Sequence, residues 1–226
     1  MTGRSLAGRR IIVLGGGGAL GRAVIERFGA DGASVLVADT RPPGDADHVD
    51  YVAVDALDET SVSAAFATQP PPGAVVNLIG GYTPPQPLAE LDIDVLRHQL
   101  ELNLVTAAII TKHAMPLLAA QDGGSIVHVS SRVAMEKGEN GFAYSVSKLG
   151  VVRLVEAAAA EGREHGVRVN CIMPSIIDTP ANRAALPNAM HHRWPKPAQL
   201  AAVLAFLVSD DAILISGAAI PVYGRA

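Results

Sequence analysis

The strongest constraint on this chain is an alternation. Short runs of uninterrupted apolar residues are separated, again and again, by longer stretches whose apolar residues recur with helical period. A strand without a polar face must be covered on both sides, and the intervening helices are what cover it. The order therefore predicts an α/β fold, a parallel sheet of about seven strands doubly wound by helices on both faces, in a single domain spanning residues 1–226. The expected strands are Arg10–Leu14, Ser34–Ala38, Tyr51–Val54, Ala74–Leu78, Ser125–Ser130, Val167–Ile172 and Ala219–Val222. The expected helices are Ala19–Ala30, Asp58–Ala67, Asp92–Ala120, Phe142–His165 and Pro197–Val208. Pro116 is expected to interrupt the third of these near its end, because proline removes a helix hydrogen bond.

Composition narrows the function. An apolar share of 49% over 226 residues is enough to bury a core. A formal net charge of −4 and a pI near 5.9 provide no broad attraction for nucleic acid or for an anionic membrane surface, so neither is an expected partner. The lone Cys171 has no partner for an intrachain disulfide and lies in an apolar run, which reads as a buried strand thiol. The opening residues pass into glycine too soon for a leader, and no later run reaches membrane-spanning length, so the expected location is the cytoplasm.

The segment Gly15-Gly16-Gly17-Gly18-Ala19-Leu20-Gly21 follows the first strand and opens the first helix. There bare backbone can approach a pyrophosphate and the helix N-terminus can stabilise its charge, which identifies a dinucleotide site and a Rossmann-type fold. Asp39 ends the second strand 18 positions after Gly21, where a carboxylate accepts the adenosine ribose hydroxyls and repels a 2′-phosphate. NAD(H) is thus preferred, and Arg41 leaves NADP(H) open, since an arginine can receive that phosphate. Further along, Tyr144 and Lys148 lie four residues apart on one face of a predicted helix. A cation beside a phenol favours its ionised form, suiting the pair to the proton transfer that accompanies hydride transfer.

These motifs together resemble the short-chain dehydrogenases/reductases along essentially the whole chain. The glycine turn is similar to the family's Thr-Gly-x-x-x-Gly-x-Gly, with Leu14 in place of the threonine and Ala19 in place of the middle glycine. Asp55, followed by Ala56, matches the acid that holds the adenine amino group. Asn77-Leu78-Ile79-Gly80 stands where the family has Asn-Asn-Ala-Gly, with Gly80 leaving room for the cofactor. The resemblance implies that Asn103 supports a water chain to Lys148, that Tyr144 is the general acid or base, and that Lys148 binds the nicotinamide ribose and lowers the tyrosine pKa. Ser131, 13 positions before Tyr144, matches the serine that bonds the substrate carbonyl, and Ser130 is a structural strand-end hydroxyl. Pro174-Ser175-Ile176-Ile177-Asp178-Thr179 resembles the segment in which Pro174, Ile177 and Thr179 hold the carboxamide, with Ser175 replacing a glycine.

Within the family the chain looks most similar to dihydropteridine reductases, through its Gly-Ala-Leu-Gly turn and the segment Asp178–Arg183 with Leu186 and Trp194. Residues 180–197 read as a loop over the substrate, with Leu186 and Trp194 as apolar wall. The implied activity is hydride transfer between NAD(H) and a small ketone or alcohol, without a metal, in a homodimer or homotetramer. The competing readings are a reductase of quinonoid dihydropterin, a non-catalytic dinucleotide sensor and, last, an epimerase or dehydratase holding NAD transiently. His191 and His192 lack further metal ligands at workable spacing, and Lys112 and His113 have no evident partner.

Overall fold

A computed structural model of the chain describes residues 6–43, 49–136 and 139–226, so the reading of the opening residues as no leader falls outside the described residues. The strands are β1 (Arg10–Leu14), β2 (Ser34–Asp39), β3 (Asp50–Ala53), β4 (Ala74–Asn77), β5 (Gly124–Val129), β6 (Val167–Pro174) and β7 (Ala219–Val222). The helices are α1 (Ala19–Ala30), α2 (Glu59–Thr68), α3 (Ile93–Leu100), α4 (Thr106–Ala119), α5 (Phe142–Gly162), α6 (Pro180–Ala185) and α7 (Pro197–Val208).

All seven strands are parallel, in the order β3-β2-β1-β4-β5-β6-β7. Period-two alternation along β1 divides its apolar residues between two cores. Ile11 and Val13 pack with Phe28 of α1 and with Leu200 and Leu204 of α7, while Ile12 and Leu14 share the other core with Phe66 of α2, Ile110 of α4 and Val155 of α5. Chain order reverses between β1 and β4, and the loops leaving their carboxyl ends part there, forming the crevice where such sheets bind ligands.

The expected helix over Asp92–Ala120 is broken elsewhere than at Pro116. One π-helical turn, Glu101–Val105, joins α3 to α4, whereas Pro116 sits inside α4 without ending it. Proline in the last turn removes one amide, and the Ala120 amide still bonds the Pro116 carbonyl at 3.0 Å while Ala114 and Leu118 stay anchored in the core. The continuous stretch Ile93–Ala119 has 27 residues and is long and apolar enough to cross a membrane by length and composition, contrary to the expectation that no run reaches that measure. Its inner face is spent on the sheet: Ala107, Ile110, Ala114 and Leu118 are fully buried. The short helix α6 falls within the expected 180–197 loop, and Cys171 is buried in β6, where burial pushes its thiol up to about 12 and keeps it unreactive.

Candidate active site

The glycine turn is shaped by clearances. Gly15 has φ +81°, and a Cβ there would lie 3.0 Å from the Ile79 amide nitrogen, where the loops from β1 and β4 part. A Cβ at Gly21 would lie 2.4 Å from the Gly16 carbonyl oxygen, so that glycine serves the closeness of turn and helix. Gly18 faces open space and caps α1 without a side-chain acceptor, so the amides of Ala19 and Leu20 begin the helix uncapped from the side. The Gly17 amide donates to Asp39 Oδ2 at 3.0 Å, tying the turn to the end of β2. Gly17, Gly18, Arg22, Asp39, Thr40 and Arg41 border an open groove of about 1020 Å³, and the Arg22 guanidinium reaches back to the Gly17 carbonyl at 2.8 Å. Asp55 accepts the Leu57 amide at 3.0 Å at the exposed end of the neighbouring loop, and Ala56 beside it is buried. This cradle of bare backbone and one ribose-height carboxylate fits an adenine dinucleotide.

At the carboxyl ends of β4 and β5 the site is built from side chains. Ser131 follows β5 in extended conformation, near enough to Tyr144 in the first turn of α5 for its hydroxyl to favour the tyrosinate. Ser130, one residue earlier, points elsewhere: its hydroxyl donates to the Lys148 carbonyl at 2.7 Å, a structural use. Lys148 is almost wholly buried, and its ammonium donates to the Val129 carbonyl at 3.1 Å and lies 5.9 Å from the centre of the Tyr144 ring. Gly80 explains how the ammonium fits, since a Cβ there would stand 2.7 Å from both Lys148 Nζ and Asn103 Oδ1.

Burial decides the electrostatics. It lowers Lys148 to about 8, because taking an ammonium from water favours the neutral amine. It raises Tyr144 above its ordinary value, with the Ser131 hydroxyl opposing the rise and Tyr82 adding to it. The tyrosine is thus raised by burial, and its shift owes nothing to the expected lowering by Lys148.

Asn103 stands at the junction of the β4 loop, α3 and α5. Its side chain is filled by protein: Oδ1 accepts the Gly81 amide at 3.0 Å, and Nδ2 faces the Gly81 carbonyl at 3.0 Å, Gln99 Oε1 at 3.1 Å and Ser147 Oγ at 3.1 Å. The π turn is what carries Asn103 to that position between α3 and α5. Gln99, Gly81 and Ser147 carry no recognisable motif, so only contact reveals them.

A second buried group also escapes sequence reasoning. His128 of β5 is wholly buried between Asn77 Nδ2, at 3.2 Å from its Nδ1, and Thr111 Oγ1, at 2.9 Å from its Nε2. Thr111 donates its own proton to the Ala107 carbonyl at 2.8 Å and Asn77 Oδ1 accepts the Ile79 amide at 3.0 Å. The threonine can then only accept from Nε2–H and the asparagine can only donate to Nδ1, which assigns a neutral imidazole. Burial pushes it down to about 4, with the Lys148 charge adding to the effect.

The β6 side is mixed. Pro174 ends β6 in the interior, Ile177 packs against the α1/α7 core, and Thr179 Oγ1 accepts the Asn182 amide at 3.2 Å as the cap of α6. Leu186 is 44% exposed, whereas Trp194 is only 7% exposed beneath the His191 ring, at 4.7 Å between centres. Most of the expected tryptophan wall is thus loop packing: the Pro195 carbonyl accepts the Asp178 amide and the Arg193 carbonyl accepts the Arg225 amide, each at 2.9 Å, drawing the segment onto the body. Lys112 and His113 do have a partner, Glu59, at 2.6 and 3.1 Å, which a sequence separation above fifty residues concealed. Among the described residues no three His, Cys, Asp or Glu side chains gather as a metal set.

A parallel sheet of this order, with a glycine cradle beside a Ser-Tyr-Lys cluster, defines a class of dinucleotide-dependent oxidoreductases. Comparison with known proteins agrees. The family model described as enoyl-(acyl carrier protein) reductase matches residues 17–224. The cis-4-hydroxycyclohexanecarboxylate dehydrogenase of Sinomonas cyclohexanicum is 33% identical over 98% of each chain, and the 7alpha-hydroxysteroid dehydrogenase of Bacteroides fragilis is 28% identical over 95% of this chain and 92% of its own. Among solved structures, a short-chain type dehydrogenase/reductase from Mycobacterium ulcerans superposes with a TM-score of 0.89 at 27% identity, covering 97% of this chain and 90% of its own. The chain belongs to the short-chain dehydrogenase/reductase family, whose named relatives here are dehydrogenases of CH–OH groups.

Proposed function

We propose that this protein is an NAD(H)-dependent oxidoreductase that interconverts a small secondary alcohol and its ketone, with Tyr144 as the proton-transferring group. The observation that carries the reading is the gathering of the buried Ser131 and Lys148 about Tyr144, with the Lys148 ammonium 5.9 Å from the tyrosine ring centre. When bound, the nicotinamide would supply the hydride as NADH in reduction and accept it as NAD+ in oxidation. In reduction the Ser131 hydroxyl donates to the substrate carbonyl oxygen and stabilises the charge that grows there, while Tyr144 delivers its proton to the same oxygen. In oxidation Tyr144 takes that proton back. Lys148, fixed by the Val129 carbonyl, would bind the nicotinamide ribose and favour the tyrosinate as it forms. Asp39 would hold the adenosine ribose, and Pro174, Ile177 and Thr179 would hold the carboxamide.

The relatives' names point to hydroxyls borne on rings, and ring alcohols are the first substrates to try. A dihydropterin reductase is the second reading, drawn from the Gly18-Ala19-Leu20-Gly21 turn, and the Ser131–Tyr144 contact favours a carbonyl oxygen over a quinonoid ring nitrogen. The deciding experiment titrates the protein with NADH and NADPH, then follows nicotinamide oxidation with cyclic ketones, open-chain ketones and quinonoid dihydropterin. Tyr144→Phe is expected to lower ketone turnover about 10²- to 10⁴-fold while leaving NADH affinity in place. Undiminished turnover removes Tyr144 as the acid, and turnover of dihydropterin alone installs the second reading.

A further inference from the structure

We infer that Tyr82 is the specificity-determining residue of this site, an aromatic platform that selects substrates whose carbinol carbon belongs to a ring. The inference rests on the oxidoreductase reading and deepens it. Tyr82 stands edge-to-face with Tyr144, with ring centres 5.2 Å apart and planes at 85°, yet is itself 67% exposed. Most of its apolar surface therefore lies free beside the phenol that must touch the substrate oxygen, an uncommon placement for so large a side chain unless a ligand covers it.

The platform is held rigidly. Both backbone groups of the preceding Gly81 are taken by the Asn103 side chain, each at 3.0 Å, so the π turn that positions Asn103 also positions Tyr82. A Cβ at Gly81 would meet Leu102 Cδ2 at 2.5 Å, which keeps this approach close. Beyond Tyr82 the chain runs through Pro84, Pro85 and Pro87, whose fixed φ angles stiffen it. The Gln86 amide bonds the Asn140 carbonyl at 2.7 Å, fastening the loop to the segment that enters α5. An exposed aromatic on so constrained a loop needs little ordering when a ligand arrives, so its contact area translates efficiently into affinity.

The chemistry of the fitting ligand follows. A ring whose carbinol oxygen bonds Tyr144 brings its methylene edge against the Tyr82 face, whereas a short open-chain alcohol reaches the same oxygen and leaves that face uncovered. The exposed apolar side chains of Ile176, Leu186 and Met190 lie in the segments that follow β6, whose carboxyl end is on the same side of the sheet as those of β4 and β5.

The test uses unreactive ketone mimics, so that it does not depend on turnover. Affinities of the NADH complex for cyclohexanecarboxamide and for isobutyramide are measured by saturation-transfer NMR on the full chain, on Tyr82→Ala and on Tyr82→Phe. The expected result is an about 10- to 100-fold loss for the ring amide in Tyr82→Ala, less than about threefold for the open-chain amide, and recovery of both in Tyr82→Phe. Equal loss of both amides overturns the inference in favour of Tyr82 merely supporting Tyr144, and no loss of either overturns it outright. A wild-type chain that prefers isobutyramide, or binds neither amide, also overturns it. Ring binding that depends on Tyr82 without turnover of any alcohol or ketone refutes the proposed reaction and keeps the platform.

Discussion

The two halves of the crevice are made by opposite means. On the β1–β3 side the site is shaped by what is missing: Gly15, Gly17, Gly18 and Gly21 leave backbone bare, and one carboxylate, Asp39, ties the turn to the end of β2. On the β4–β6 side it is shaped by buried polar side chains: Ser131, and Asn77, Gln99, Asn103, His128, Ser147 and Lys148, the last six each held by a hydrogen-bond partner. Among the described residues no buried side-chain polar atom is left without a hydrogen bond. The clearance half is intolerant of added atoms at Gly15 and Gly21 but asks little of its neighbours, whereas a half defined by hydrogen bonds depends on residues that never touch the ligand.

The sharpest way to break this contrast is one substitution in each half. Gly21→Val forces a Cβ to 2.4 Å from the Gly16 carbonyl oxygen, and the expected loss is about 3 kcal/mol or more of stability together with NADH binding, seen by denaturant unfolding and fluorescence titration. Ser131→Ala is expected to keep both fold and NADH affinity while turnover falls about 10²- to 10³-fold. Loss of NADH binding in the serine variant would remove the division of labour.

A second comparison concerns pH. His128 has its pKa lowered from 6.5 to about 4, so between those values the unfolded chain binds a proton that the folded chain refuses. Stability contributed by the neutral imidazole is present above pH 6.5 and lost as pH falls toward 4, an expected drop of about 3 kcal/mol from this group. Lys148, lowered from 10.5 to about 8, acts with the same sign in a higher window, and its contribution to stability rises between pH 8 and 10.5. Urea unfolding across pH, in the wild type and in His128→Asn, checks the acid limb. An unchanged acid limb in the variant means that His128 is not its source.

The smallest expected effect tests the clearance half. Asp39→Ala should shift the ratio of NADH to NADPH affinity by about tenfold toward NADPH, near 1.4 kcal/mol, because the carboxylate that repels a 2′-phosphate is gone while Arg22 and Arg41 remain. A ratio that does not move transfers the discrimination to the arginines.

The legibility of the molecule follows the same division. The apolar runs of β1, β2, β4 and β6 and the helices α1 and α7 were readable because burial on both faces, or a stripe of 3.6 period, leaves its mark residue by residue. Gly15 and Gly21 were readable because a backbone clearance admits one residue type. The π turn, the buried His128 and the packing of Trp194 were not. A histidine in an apolar strand looks like any other histidine until Asn77, 51 positions earlier, and Thr111, 17 positions earlier, are seen on either side of it.

By itself the sequence determined the doubly wound sheet, its switch point and the spacing of Ser131, Tyr144 and Lys148, because strand burial, helix period and local spacing are properties of neighbours along the chain. Only the tertiary structure decided that Asn103 clamps Gly81, that Tyr82 stands free beside Tyr144, and that burial rather than Lys148 governs the tyrosine pKa. Those outcomes depend on desolvation and on hydrogen bonds between residues far apart in the chain, and such quantities exist once the loops from β4, β5 and β6 have met.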